Sequence, residues 1–278
     1  MTMHYGFVLP GGSALEQLAL AEVAEAAGWD GVFVWEAADG IDAWSLLAAM
    51  ATRTSRVRLG TLLTPLPWRR PWKVASQLFT LDQLSGGRAS LSVGLGAVDD
   101  ALGSTGEPLD RRHRAGLLDE GLAVIDALAS GHARFEGAHF HVDLDRPGFF
   151  GPAGPVRQPR PTVWIVGLWE SGTSMARVAR GDGYLPNLRG GPGAPTPEQV
   201  AAMRAWLDAS VPDRALDLIV DGTTPADDPA AAAAAVQPYA EAGATWWIEH
   251  RWGEDQHGAA TLAAVRARLE AGPPRSSP

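Results

Sequence analysis

Five short stretches of this chain carry residue types able to do chemistry. GLWESGTS, residues 167–174, follows an apolar run and precedes a helical one. Gly167 and Gly172 let a backbone approach an anion, and Ser171, Thr173 and Ser174 offer hydroxyl donors ahead of free helix N–H groups, a set suited to a phosphate. The same hydroxyls also suit ordinary helix capping. TLLTPLPWRRPW, residues 61–72, sets Arg69 and Arg70 in a proline-rich loop, where they can face an anionic ligand or pair with surface carboxylates. SVGLG ends in Gly94 and Gly96. EHRW, residues 249–252, gathers three titratable groups, and its His250 can move a proton near neutral pH. WEAADG places Glu36 after another apolar run, where it can act on a ligand or form a buried ion pair with Arg251.

The elements that must position these groups alternate along the whole chain. Short apolar runs at 5–9, 31–35, 57–63, 89–93, 162–166, 183–185, 216–220 and 245–249 read as strands. Helical patterns at 15–27, 43–53, 72–84, 111–129, 173–180, 198–209, 229–242 and 259–271 follow them, with Asp110 as an N-cap, Pro71 at a helix start and Gly86-Gly87 at its end. Most strands are apolar on both faces, as in a parallel sheet covered by helices. Eight strand–helix pairs predict an α/β protein, a single compact (β/α)8 TIM barrel over 1–272, in preference to an open doubly wound sheet. Every stretch named above then falls at the carboxyl ends of strands, where such a barrel places its site. HARFEGAHFHVD and the proline-rich residues after it read as a short hairpin excursion following the fourth helix. Residues 273–278 (PPRSSP) read as a disordered tail.

Composition removes several function classes. A net charge of −9 argues against nucleic acid or an anionic membrane as partner. No run approaches the length of a membrane span, and no signal peptide is expected. The absence of cysteine removes disulfides, thiolate metal sites and cysteine nucleophiles and suits a reducing cytoplasm. No metal is expected: His139 and His141 share a strand face but have no third ligand nearby. The single lysine, Lys73, lies in a helix, which argues against a Schiff-base aldolase. One lysine among many arginines and alanines suits a bacterial, high-GC genome.

RVRLGT, TPLP, RRPW, TLDQLSGGR and SVGLG closely resemble the luciferase-like monooxygenase superfamily, and the resemblance continues through EAAGWDGVFVWE, LLDEGLAVIDAL, PTVWIVG, ARGDGYLP and YAEAGATWWIE. It implies a (β/α)8 barrel that holds FMN or its deazaflavin analogue F420. The implied activity is a flavin-dependent oxidoreductase, a monooxygenase using reduced FMN and O2 on a small organic substrate. Hydride transfer with F420 is the alternative, and a non-catalytic flavin-binding barrel a further one. A separate flavin reductase and a homodimer follow from the same analogy. The resemblance assigns the cofactor phosphate to Gly167, Ser171, Gly172 and Thr173. By position, Thr61, Leu62, Thr64, Val93, Gly94 and Gly96 face the ring, and Trp35, Trp68, Trp164, Trp169 and Trp252 can wall the pocket. Arg69 or Arg70 would stabilise the reduced ring's negative charge. His250, Glu36 and Arg251 are the catalytic candidates. Two departures stand out: Trp169 and Glu170 intrude into the phosphate loop, and no histidine follows Glu36. The large insertion common after strand seven is also missing.

Overall fold

Runs of residues with apolar side chains on both faces form the wall of a closed parallel barrel. The computed structural model describes residues 2–98, 104–132, 134–144, 154–190, 193–251 and 259–275. Its strands are β1 (His4–Val8), β2 (Gly31–Val34), β3 (Arg58–Pro65), β4 (Ala89–Gly94), β5 (Arg134–Glu136), β6 (His141–Asp143), β7 (Thr162–Leu168), β8 (Gly183–Asn187), β9 (Asp217–Gly222) and β10 (Trp246–Glu249). Eight of them close in the order β1-β10-β9-β8-β7-β4-β3-β2, and β5 and β6 pair apart as an antiparallel hairpin. The helices are α1 (Ala14–Ala26), α2 (Ala43–Arg53), α3 (Pro71–Ser85), α4 (Arg111–Ala129), α5 (Gly172–Val178), α6 (Pro197–Ser210), α7 (Pro229–Glu241) and α8 (Ala259–Glu270). This is the (β/α)8 barrel, with the hairpin where the sequence predicts it.

The barrel interior is packed solid. Val8, Phe33, Trp164, Leu185, Ile219, Trp246 and Ile248 fill it, with Leu62 and Val166 above them. Trp164 and Trp246 meet at 5.2 Å between ring centroids, and Phe33 lies 5.2 Å from Trp164. Such large rings fit only because small residues face them, the alternation expected of barrel layers. A Cβ at Gly183 would stand 2.5 Å from Trp164, and one at Gly6 would stand 2.7 Å from both Phe33 and Ile248.

Local signals account for the element ends. Asp110 caps α4 by accepting from the His113 N–H at 2.7 Å. Pro71 opens α3, and Gly86 ends it at φ 67, left-handed backbone that favours glycine. Two boundaries differ from expectation. β3 runs on through Pro65, because a register shift between Thr61 and Thr64 lets Thr64 and Pro65 pair with Val93 and Gly94. The tail is also partly fixed. Arg275 donates to both Asp30 carboxylate oxygens at 3.0 Å and lies over the Tyr5 ring, so order extends past Pro273, while residues 276–278 lie outside the described part. Among the described residues, no helix is long and apolar enough to cross a membrane.

Candidate active site

A cleft of about 1570 Å³ opens at the carboxyl ends of β2, β3, β4, β7 and β8. One wall is apolar: Leu62, Leu63 and Pro65 from β3, Trp68 beyond it, and Val166 and Leu168 from β7. Gly94 and Gly96 form the neighbouring edge. Gly96 sits at φ +77, and a Cβ there would meet Pro65 at 2.8 Å and Trp68 at 2.9 Å, so backbone alone fits. The same cleft carries cations and hydroxyls, Arg111, Arg112, Arg114, Arg189, Ser171, Thr173 and Ser174, beside the carboxylates Asp39 and Asp110.

Glu36 reaches the cleft from the end of β2 and is held from three sides. It accepts from the Thr64 hydroxyl at 2.6 Å and the Trp44 indole N–H at 3.3 Å, and pairs with the Arg69 guanidinium. Thr64 in turn contacts the Thr61 hydroxyl at 3.0 Å, and Arg69 donates to Gln77 at 2.8 Å. The ion pair foreseen between Glu36 and Arg251 is therefore replaced by Glu36–Arg69. That pairing depends on how the loop after β3 folds back, which residue spacing does not reveal. Thr61 and Thr64 are fully buried behind the cleft wall. Arg70 is exposed and lies over the Trp72 ring at 5.9 Å, away from the cleft.

The phosphate-loop expectation divides. Ser171 and Thr173 line the cleft; Gly167 and Gly172 are not among its lining residues. Gly167 serves packing instead, since a Cβ there would run into Val178 and Tyr184. The Ser174 hydroxyl accepts from the Leu168 N–H at 2.9 Å and ties the loop to β7. α5 has only seven residues, so its terminus alone is a weak anion site, and neighbouring cations must supply the attraction. Glu170 adopts left-handed backbone (φ 60), is exposed and lies off the cleft, which removes the repulsion its sequence position suggested.

Arg114 was hidden in the sequence as one of four basic residues in RRHR. It is 4% exposed, donates to the Leu95 and Gly96 carbonyls at 2.9 and 3.2 Å, and leaves its Nε without a partner. Burial, and secondarily Arg111, push its pKa down. Trp68 likewise has a buried indole N–H without a partner. Arg177, by contrast, is neutralised by a bidentate pair with Asp119, 2.7 Å at each contact.

The cluster at the end of β10, Glu249, His250 and Arg251, is not part of this cleft's lining. Glu249 is fully buried; it accepts from the Thr224 N–H at 2.7 Å, the Thr224 hydroxyl at 2.8 Å, the Trp247 indole at 3.1 Å and Arg251 at 2.5 Å. Arg251 also donates to the Thr224 carbonyl, so its guanidinium is committed to holding two loops. His250 Nε2 lies 3.5 Å from Asp221, and burial pushes the imidazole pKa below its ordinary value. Neither residue is among those lining the cleft. We expect His250→Asn to change turnover by less than about threefold, because proton-transfer groups earn 10²-fold or more only within hydrogen-bond reach of the reaction. Steady-state rates per folded molecule check this.

Trp35 and Trp68 wall the cleft, whereas Trp164 belongs to the barrel interior, Trp169 packs on the surrounding core, and Trp252 lies outside the described residues. His139 meets His113 edge-on at 5.0 Å and His141 pairs with Glu136. Among the described residues no three potential ligands converge on a metal position.

Comparison with known proteins agrees with this architecture. The family model for luciferase-like monooxygenases matches residues 3–276. Over 130 residues the chain is 36% identical to the 4-hydroxyprotoasukamycin monooxygenase of Streptomyces nodosus subsp. asukaensis, a match covering 44% of this chain and 34% of that protein, so it spans about a third of that relative's length. Among solved structures, monooxygenase RslO1 from Streptomyces bottropensis superposes with a TM-score of 0.76 at 20% identity, over 97% of this chain and 98% of that one. The coenzyme F420 dependent tetrahydromethanopterin reductase from Methanopyrus kandleri gives 0.73 at 15% identity, over 98% and 99%. Likeness at that identity speaks for the fold alone, whereas the family match spans nearly the whole chain: this protein belongs to the luciferase-like monooxygenase family.

Proposed function

We propose that the cleft binds a phosphorylated flavin and that the protein is a flavin-dependent oxidoreductase, a monooxygenase acting with reduced FMN and O2 on a small organic substrate. The observation that carries this reading is one cleft that combines an apolar wall with arginines and hydroxyls, among them the buried Arg114 guanidinium with an unpartnered Nε. A ring fits the first and a phosphate the second.

When bound, the flavin supplies the redox equivalents. The chain's own residues do the rest. Leu62, Leu63, Pro65, Val166 and Leu168 exclude water from the ring's face, and the Gly94–Gly96 edge lets the backbone come close. Arg114, Ser171 and Thr173 hold the phosphate. Glu36, fixed by Thr64, Trp44 and Arg69, presents a carboxylate to the cleft and orients the substrate or the cofactor's polar edge. Arg69 sets the local charge through Glu36 and does not face the ring itself.

The exposed arginines Arg111, Arg112 and Arg189 favour a second reading, F420-dependent hydride transfer, because such a rim can also hold a longer anionic tail. A separate flavin reductase, a homodimer and a cytoplasmic setting accompany the first reading. Adding FMN or F420 to purified protein, with absorbance followed in each case, tests both. A perturbed FMN spectrum with substrate-dependent oxygen uptake supports the monooxygenase. A response to F420 alone supports hydride transfer. Silence toward both contradicts the redox reading.

A further inference from the structure

We infer that the closed end of the barrel, opposite the cleft, carries a second anion site that takes a phosphate group, free or as a small polar phosphate monoester. A cavity of about 630 Å³ lies there at the amino ends of β3, β7 and β9. Four arginines line it, Arg58, Arg157, Arg160 and Arg214, against three carboxylates, Asp126, Asp182 and Asp217. In a chain of net charge −9 this concentration of guanidinium groups is out of character.

The pairing within the cavity is unequal. Arg160 takes two of the three carboxylates, Asp126 at 2.6 Å and Asp182. Asp217 is occupied by the Trp164 indole and the Thr245 hydroxyl, each at 3.0 Å, and stands 3.7 Å from Arg58. Among the described residues, Arg214 donates only to the Gly181 and Ala179 carbonyls. Among the described residues, Arg157 has no carboxylate in ion-pair range, and its side chain makes no hydrogen bond.

Arg58 is the floor. It stacks over Trp246 at 5.0 Å and Trp164 at 5.7 Å, which close the barrel behind it. Its Nη1 is shut off from water and has no hydrogen-bond partner. Burial lowers its pKa, Asp217 offsets part of that, and Arg157 lowers it again, so a second guanidinium repels it across the cavity. A structural plug alone would gain from fewer cations here. A dianion resting on Arg58 between Arg157 and Arg214 satisfies the floor donor, screens the repulsion and matches the two lining arginines that have no carboxylate partner among the described residues, Arg157 and Arg214. The remaining lining includes Ser130, Gln158 and Thr162 and no aromatic ring, which suits a hydroxylated body over a nucleobase.

Titration with inorganic phosphate and with glucose 6-phosphate, at ionic strength fixed with sodium chloride, tests the site. Arg157 is exposed, so Arg157→Gln leaves the fold intact; Arg58→Gln is a second variant, and melting without phosphate checks both. Each is expected to weaken phosphate binding at least tenfold while leaving FMN or F420 titration unchanged. Arg114→Gln, in the cleft, is expected to retain this binding. The tighter of the two probes identifies free phosphate or an ester as the ligand. Phosphate uptake that Arg157→Gln leaves unaltered, or that vanishes only in Arg114→Gln, overturns the proposal. Failure of the flavin reading would show instead as silence toward FMN and F420 with phosphate binding preserved.

Discussion

Glu249→Ala is expected to destabilise the protein by about 3–5 kcal/mol, because it leaves a buried arginine without its counter-charge. Glu249 is 0% exposed and Arg268 is 1% exposed; their ion-pair distance is 3.6 Å. Arg268 also lies over Trp29 and donates to the Thr224 hydroxyl and the Gly272 carbonyl, so it is built into α8 and cannot swing out to water. Burial already lowers its pKa. Alanine at 249 would strand this cation and release Thr224, Trp247 and Arg251 together. For a chain of this size the loss corresponds to about 6–10 °C in melting temperature. Glu36→Ala offers a contrast, since its partner Arg69 is 26% exposed and can turn to solvent, so its thermal cost is smaller. Equal melting temperatures for Glu249→Ala and wild type would show that the network contributes nothing.

Arg114→Met is expected to weaken binding of a phosphorylated cofactor by about 10- to 150-fold, the range of about 1.5–3 kcal/mol for a hydrogen bond to a charged group. Methionine keeps much of the apolar stem, so packing against the glycine edge survives while the charge and the donors to Leu95 and Gly96 are lost. Binding of riboflavin, which lacks the phosphate, should change by less than about threefold. Parallel fluorescence titrations check this. An equal loss for both ligands would make Arg114 a support for the Leu95–Gly96 carbonyls and nothing more.

The barrel was legible because each strand's apolar character on both faces is a local property, and the Gly, Pro and Asp signals between strands are local too. The β3 extension was not, because Thr64-Pro65-Leu66-Pro67 reads as a loop until the register shift brings Thr64 beside Val93. Site residues that depend on one strand end alone, Leu62, Gly94, Gly96, Ser171 and Thr173, lie on the cleft wall. Those that depend on a partner across loops went elsewhere. Arg69 turned to Glu36, 33 residues away, and Arg251 to the Thr224 carbonyl, 27 residues away, as well as to its neighbour Glu249, contacts set by how the loops fold. Arg114 escaped notice because a helical arginine among others looks like solvated surface. Arg58, at the start of a strand, likewise gave no sign of a cavity at the barrel's closed end.

The cleft is expected to recognise a phosphorylated ring cofactor. Measuring dissociation constants for FMN and riboflavin on one preparation, together with F420 and its chromophore lacking the phosphate, tests it most directly. The phosphorylated member of at least one pair should bind about 30-fold tighter or more, the equivalent of about 2 kcal/mol for the phosphate contacts. Equal affinities within both pairs, or no binding of any of the four, would contradict it.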